Sequence, residues 1–482
     1  MAIDRGLRRL VLRTLLPSFP GHTAPEWVTA LAGEGVGGYI IYGYNIADPD
    51  QLRRLTGALR AANPDMLLSI DEEGGDVTRL AHVAGSPYPG NAALGAVDDA
   101  ALTERIYRSI GLDLAAAGFS LNFAPSLDVN TADDNPTIGT RSFGSDPARV
   151  AEQGAAAVTG LQSAGVAASA KHFPGHGATS TDSHLELPTV DVPLDVLRER
   201  DLPPFAAAVK AGTKAVMTAH IRVPVLTGDL PATFSSRALI DLLRGDLGFT
   251  GTLITDALEM RATAGMAGGV PRAAVVALAA GNDLLCLGSA VDEDLVEATI
   301  AEIMAGVRDG RLTTARLEEA AAQVDALVAW TRAGFAPLDP QDGRIGYPAA
   351  RRAVRVEGSL HGLATPLIVQ VDSESSIAAG PVPWGLGPHV NGAEHVRIDP
   401  TASPESVRAR AGSRPIVVVG RNLHRQPGVA ALVEALAATH PVVAVEMGWP
   451  SSWRPAGVQA FVTTYGASHA NGWAATATLG LS

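Results

Sequence analysis

The chain is predicted to be an α/β protein, a (β/α)8 TIM-type barrel followed by a smaller C-terminal α/β domain, on three observations. Short β-like runs alternate with longer helical segments between residues 10 and 290, the pattern of βαβ units around a parallel sheet. Four of the runs are entered through the same junction, Ala117-Gly118, Ala164-Gly165, Ala211-Gly212 and Ala280-Gly281, where glycine accepts the left-handed conformation that ends a helix. Polar clusters fall just after the runs, the face on which barrels assemble their sites.

The eight runs are residues 11–16, 38–42, 66–70, 120–124, 167–171, 215–219, 252–255 and 283–287. The segments between them carry helical periodicity, as with Val150, Ala151, Ala155, Val158 and Leu161 on one face before Gly165. Eight strands with crossover helices favour a closed barrel over an open sheet. The polar clusters are Asp71-Glu72-Glu73, Asp128 with Asn130, Lys171-His172, His220 with Arg222, and Asp256. Helical sequence runs to about residue 333, which bounds the barrel at 1–335. Residues 336–346, rich in Pro, Asp and Gly, read as a linker. A C-terminal domain over 347–482 shows strand-like runs at 367–371, 415–419, 442–445 and 460–464, with a helix over 429–438.

Of the 482 residues, 46% are apolar and 18% charged, so the chain buries a large core and is globular almost throughout. A formal charge of −13 repels phosphate backbones and anionic lipid, which disfavours nucleic-acid and membrane partners. The N-terminus shows no signal-peptide pattern, and Cys286 is the single cysteine, so no intramolecular disulfide forms and a reducing cytoplasm is the expected location. The apolar neighbours of Cys286 point to a buried, inert thiol. No Cys/His cluster has zinc spacing and no Walker or dinucleotide fingerprint follows a strand, so no metal and no cofactor is expected. Oligomeric state is left open.

The richest segment is Lys171-His172-Phe173-Pro174-Gly175-His176-Gly177, followed by Asp182-Ser183-His184. A buried run ending in Lys-His puts a cation and an imidazole where they can hold hydroxyl groups. The small, glycine-rich stretch after it suits a mobile lid. Asp182 and His184, two residues apart, point the same way on an extended backbone, and the carboxylate would stabilise the imidazolium as a proton donor. The alternative is a solvated loop triplet. Asp256, at the end of the run 252–255, reads either as a nucleophile in a mouth shared with Lys171 and Arg141 or as a helix N-cap. Glu259 reads as structural.

Asp71 and Arg79 fit a hydroxyl clamp, whereas Glu72, Glu73 and Asp76 read as a charged surface turn. Arg141, among turn-formers at 135–144, is either a ligand contact or part of an ion pair that pins the loop.

Together these motifs resemble glycoside hydrolase family 3, in its β-N-acetylglucosaminidase branch. The matching stretches are Ile70-Asp71-Glu72-Glu73-Gly74-Gly75, residues 135–144, Lys171 to Gly177, Asp182-Ser183-His184, Pro231-Ala232-Thr233 and Asp256-Ala257-Leu258-Glu259-Met260, in the family's order. The resemblance implies removal of terminal β-linked N-acetylglucosamine from a small carbohydrate substrate, by retaining double displacement through a glycosyl-enzyme on Asp256. It implies His184, paired with Asp182, as acid/base, and Asp71, Arg79, Arg141, Lys171 and His172 as sugar-binding residues, without a cofactor. Glu446, after the run 442–445, is the rival acid. Phosphate in place of water as acceptor, a β-glucosidase or β-xylosidase of the same family, and a non-catalytic sugar-binding barrel are the alternatives. The aglycone stays open among muropeptides of peptidoglycan recycling, chitin oligosaccharides and glycoconjugates.

Overall fold

The apolar runs become buried parallel strands in the computed structural model, which describes residues 4–181, 186–333, 344–373, 375–426 and 428–482. The strands are β1 (Leu15–Leu16), β2 (Gly38–Ile40), β3 (Leu67–Ile70), β4 (Leu121–Asn122), β5 (Ala167–Phe173), β6 (Ala215–Thr218), β7 (Thr252–Thr255) and β8 (Leu285–Cys286). β2 to β7 form one six-stranded parallel sheet in chain order, and β1 pairs with β8 in parallel. The two ladders also meet. Ile40 N–H donates to Pro17 O at 3.1 Å, and Ile254 bridges Leu284 in parallel. Side chains from all eight strands, among them Leu16, Ile40, Leu67, Leu121, Ala167, Met217, Ile254 and Cys286, enter a single apolar cluster. That burial is the main force holding the strands together.

The glycines of the four Ala-Gly junctions all have positive φ, from 80° at Gly212 to 121° at Gly281, the conformation that lets each helix stop and its strand begin. One run is corrected. Residues 11–13 belong to a helix, Arg5–Arg13, capped by Asp4 Oδ1 accepting from Leu7 N–H at 3.1 Å. Val11 and Leu12 are its buried face, so their apolar character reflects helix packing and only Leu15–Leu16 is strand.

A second set of strands is β9 (Arg355–Gly358), β10 (Leu367–Val371), β11 (Glu394–Ile398), β12 (Ile416–Gly420), β13 (Val442–Glu446) and β14 (Ala460–Thr463). Their order is β11-β10-β12-β13-β14-β9, parallel except for β9, which runs antiparallel to β14. The four central strands are fully buried. Helices Pro404–Ala411 and Val429–Ala437 pack on one face and His469–Leu479 on the other. Both edge strands escape the sequence reading. β9 is exposed along its whole length, and β11 buries only Val396.

The chain divides into two units. The first comprises Met1–Glu72, Thr103–Pro136 and Ser145–Pro340; the second comprises Glu73–Leu102, Thr137–Gly144 and Gln341–Ser482. Two segments that precede the C-terminal region in sequence therefore group with its sheet. Gly95 shows how tightly they are held: a Cβ there would lie 1.7 Å from Phe143 O. Among the described residues, no helix is long and apolar enough to cross a membrane.

Candidate active site

Parallel α/β sheets gather polar groups at the carboxyl ends of their strands, where the backbone leaves the core. In the first unit those ends carry Asp71 after β3, Asp128 after β4, Lys171 and His172 among the last three residues of β5, His220 after β6 and Asp256 after β7. Neighbouring strand ends are cross-tied. Glu72 N–H donates to Asn122 Oδ1 at 3.0 Å while Asn122 Nδ2 donates to Glu72 O at 2.8 Å, and Asp256 N–H donates to Thr218 O at 3.2 Å.

Lys171 is 2% exposed and its Nζ donates to Asp71 Oδ1 at 2.8 Å, with Asp71 itself 19% exposed. A buried ammonium held by a partly exposed carboxylate presents both a donor and an acceptor to a hydroxyl-rich ligand. His172 Nδ1 lies 2.7 Å from Asp128 Oδ2. Asp128 is fully buried and collects three further donors: Ser126 Oγ at 2.9 Å, His172 N–H at 3.3 Å and His176 N–H at 2.6 Å. Burial raises the Asp128 pKa, but the adjacent His172 and His176 outweigh it and hold the carboxyl well below its ordinary range. Burial pushes the His176 imidazole down to about 4, against the pull of Asp128.

The first part of the stretch read as a lid, residues 173–179, is packed into the first unit. Phe173, His176 and Thr179 are buried, His176 O accepts from Asn135 Nδ2 at 3.0 Å, and Gly177 O accepts from Thr131 N–H at 3.1 Å. A Cβ on Gly177 would meet Val129 O at 2.0 Å, so this glycine lets the two backbone segments pack closely. Asp182 and His184 lie outside the described residues. The segment after them is anchored, with Val190 N–H on Arg222 O and Arg222 N–H on Pro188 O, each 2.8 Å.

Asp256 is half-buried, and its Oδ1 accepts from Ala257 N–H at 2.7 Å. The N-cap reading is corrected, because no helix begins there: the next helical turn is Arg261–Gly265, entered through Met260. Glu259 instead ties down the loop after β8, accepting from Ser289 N–H at 2.6 Å, Ser289 Oγ at 2.8 Å and Ala290 N–H at 3.0 Å. Beside Asp256, His220 Nε2 donates to Ala257 O at 3.0 Å and its Nδ1 contacts Thr233 Oγ1 at 2.7 Å, which gives the Pro231-Ala232-Thr233 stretch a positioning job. The Cys286 thiol is buried, and burial with the nearby Asp256 and Asp71 charges pushes its pKa up; it is held as an inert thiol.

Arg79 and Arg141 belong to the second unit. Arg141 grips Glu73 with Nε on Oε2 at 2.9 Å and Nη2 on Oε1 at 2.7 Å, both side chains buried. Glu72 and Glu73 are each 3% exposed, so the surface-turn reading is corrected: a buried bidentate arginine compensates one carboxylate. Asp76 is half-buried and accepts from Thr140 Oγ1 at 2.6 Å and Ala467 N–H at 2.8 Å. Arg79 donates to Ala378 O at 2.7 Å and Ala379 O at 3.1 Å. Glu446 is buried as a backbone anchor, accepting N–H bonds from Asn422 and Gly448 at 2.6 Å and Leu423 at 2.8 Å.

Asp128 is the strand-end carboxylate that the sequence reading left without a role, and the structure places it on His172 and His176. Its signal was its place, just past a β-like run like Asp71 and Asp256. Among the described residues, no group of three metal-capable side chains is assembled.

A family model described as the glycosyl hydrolase family 3 N terminal domain matches residues 10–327. β-Hexosaminidase A of Pseudoalteromonas piscicida is 32% identical over 353 residues, which cover 68% of this chain and 59% of that protein's length. A β-hexosaminidase of Stenotrophomonas maltophilia is 40% identical over 273 residues, 55% of this chain and 80% of the relative. The solved structure of a glycoside hydrolase family 3 β-N-acetylglucosaminidase from a Paenibacillus species superposes with a TM-score of 0.87 at 32% identity, covering 98% of this chain and 96% of its own.

Proposed function

The chain belongs to glycosyl hydrolase family 3, and from that premise we propose that it is a retaining exo-β-N-acetylglucosaminidase. In this reading the eight strands of the first unit close into a (β/α)8 barrel over residues 1–335, with 336–346 as linker and 347–482 as a C-terminal α/β domain. Asp256 attacks the anomeric carbon of a terminal β-linked N-acetylglucosamine while His184, oriented by Asp182, protonates the departing oxygen. Water, deprotonated by His184, then attacks the same carbon and releases the sugar from Asp256 with retained configuration. Asp71, Lys171, His172, Arg79 and Arg141 hold the sugar hydroxyls. We also place the enzyme in the cytoplasm, acting on small glycosides such as those of peptidoglycan recycling.

The observation that carries the reading is the coexistence at one set of strand ends of a half-buried Asp256 and the Lys171–Asp71 pair. A carboxylate and a carboxylate–ammonium pair gathered at the strand ends of one sheet are the groups that a displacement at an anomeric carbon needs, one to attack and the other to hold hydroxyls. The test is hydrolysis of p-nitrophenyl β-N-acetylglucosaminide beside the glucoside and xyloside, for wild type and Asp256→Ala, with products analysed with and without phosphate. Preference for the N-acetylglucosaminide, loss of turnover in Asp256→Ala and free N-acetylglucosamine as product support the reading. Near wild-type turnover in Asp256→Ala rejects the mechanism, and N-acetylglucosamine 1-phosphate would make phosphate the acceptor.

A further inference from the structure

Among the strand ends of the first unit, the proposed mechanism draws on β3, β5 and β7 and leaves β1, β2 and β8 without a role. The loops after those three strands are tied into one piece. Asn45, buried in the short turn Gly43–Asn45 after β2, accepts from Tyr42 N–H at 3.0 Å and donates to Phe19 O and Gly21 O, each at 2.8 Å, in the loop after β1. Ser289 O, after β8, accepts from Ser18 Oγ at 3.2 Å and from the Tyr44 hydroxyl at 2.7 Å, while Glu259 holds the Ser289 amide and hydroxyl. On this frame the rings of Tyr42 and Tyr44 stack, with centroids 5.5 Å apart and planes 20° from parallel. Tyr42 is half-buried and packs, as Ala257 does, against the apolar cluster inside the strands. Burial first, then the nearby Cys286, Asp71 and Glu259, raise its hydroxyl well above the ordinary pKa, which sets the ring among the groups of the candidate site. Tyr44 is 45% exposed.

We propose that Tyr42 and Tyr44 form an aromatic platform for the sugar ring next to the one being removed, so that the preferred substrates are glycosides whose leaving group is itself a pyranose. This rests on the glycosidase reading for the identity of the ligand. The groups assigned to the terminal sugar lie deep, with Lys171 2% and His172 5% exposed. Tyr42, within reach of the Asp71 charge, leads outward to Tyr44 at the rim, so a ligand whose end reaches Asp71 carries its next ring over the tyrosines. A pyranose has hydroxyls around its edge and C–H groups on its faces; the edge is matched by charged and polar side chains, the faces by a flat apolar surface. Tyrosine supplies that surface together with a hydroxyl for its wet side. The bond to Ser289 O holds the Tyr44 ring in place before a ligand arrives, which lowers the ordering cost of binding.

The test compares N,N′-diacetylchitobiose with methyl β-N-acetylglucosaminide. Both leave as alkoxides and make the same demand on the proton donor, but only the first carries a ring; a p-nitrophenyl glycoside is no control, because its own ring stacks. Tyr44→Ala should lower kcat/KM on the disaccharide about five- to tenfold, carried by KM, as expected for one lost stacking contact, and change the methyl glycoside less than about twofold. Tyr44→Phe, which keeps the ring and loses the bond to Ser289, and Tyr44→Trp should both stay within about threefold of wild type on the disaccharide. Equal losses on the two substrates, a Tyr44→Phe variant as impaired as Tyr44→Ala, or an unchanged disaccharide rate in Tyr44→Ala overturns the proposal, the first two because Tyr44 would then only brace its loop.

Binding separates this proposal from the reading beneath it. Thio-linked N,N′-diacetylchitobiose, whose sulfur bridge resists cleavage, is titrated calorimetrically into wild type and Tyr44→Ala beside methyl β-N-acetylglucosaminide. A dissociation constant raised about five- to tenfold in the variant for the disaccharide alone supports the platform. A chain that hydrolyses neither glycoside yet binds the disaccharide through Tyr44 overturns the glycosidase reading and leaves the platform standing. A chain that hydrolyses both, with disaccharide affinity indifferent to Tyr44, overturns the platform alone, and one that neither binds nor hydrolyses overturns both.

Discussion

Two buried carboxylates, one in each unit, do the same mechanical job in opposite electrostatic settings. Asp128 in the first unit collects the amides of His172 and His176; Glu446 in the second collects those of Asn422, Leu423 and Gly448. Beside Asp128 stand histidines, which hold its proton off against the effect of burial. Around Glu446 the partners are backbone amides and a distant Arg425 charge, and burial lifts its pKa to about 7. A carboxylate surrounded by backbone N–H groups fixes a turn. One that also meets an imidazole, as Asp128 meets His172 Nδ1 at 2.7 Å, orients that ring as well. The first unit gathers its polar groups at strand ends, whereas Glu446 in the second closes on backbone amides of its own unit.

Four substitutions sharpen or break that contrast. Asp256→Ala should lower kcat/KM on p-nitrophenyl β-N-acetylglucosaminide on the order of 10⁴-fold while leaving the urea midpoint nearly unchanged; a large loss of stability would mean that the strand end is architectural after all. Glu73→Ala strands a buried guanidinium and should cost roughly 3–5 kcal/mol of stability by equilibrium unfolding. A cost under 1 kcal/mol, the scale of a surface pair, would show that Arg141 does not depend on Glu73.

His184→Ala should lose about 10²-fold or more on substrates with poor leaving groups and less on p-nitrophenyl glycosides, as expected when a proton donor is removed. Equal losses on both substrates count against the acid role. Glu446→Gln should cost about 1–3 kcal/mol, because its NH2 opposes the Leu423 amide, with activity retained. The sign of its pH dependence follows from the raised pKa. Between about pH 4.5 and 7 the folded state keeps a proton that the unfolded state has lost, so the wild-type advantage is full at the low end and fades towards pH 7. A gap between wild type and variant that widens with rising pH would contradict that assignment of Glu446.

The sequence reading reached what periodicity and position encode. The eight runs, their Ala-Gly junctions and the strand-end location of Asp71, Lys171, His172 and Asp256 all follow from local patterns, since a buried parallel strand is a continuous apolar run. β9 and β11 were missed for the converse reason: edge strands bury one face or none, so Arg-Val-Glu-Gly and Glu-His-Val-Arg-Ile look like loop. Residues 11–13 were read as strand because a helix's buried face is also apolar. Glu73 looked solvated because its compensating Arg141 is 68 residues away, and no local pattern reports a partner at that distance. The glycines at 175 and 177 suggested motion; they also allow close packing, Gly175 against the Asp201 side chain and Gly177 against the Val129 backbone.

The central claim, that Asp256 becomes glycosylated, is tested most directly by mass spectrometry of the enzyme incubated with a fluorinated N-acetylglucosaminide analogue whose glycosyl-enzyme turns over slowly. The account predicts one sugar per chain, borne by the peptide containing Asp256 and absent in Asp256→Ala. An adduct on another residue, or turnover with inverted anomeric configuration and no adduct, would contradict it.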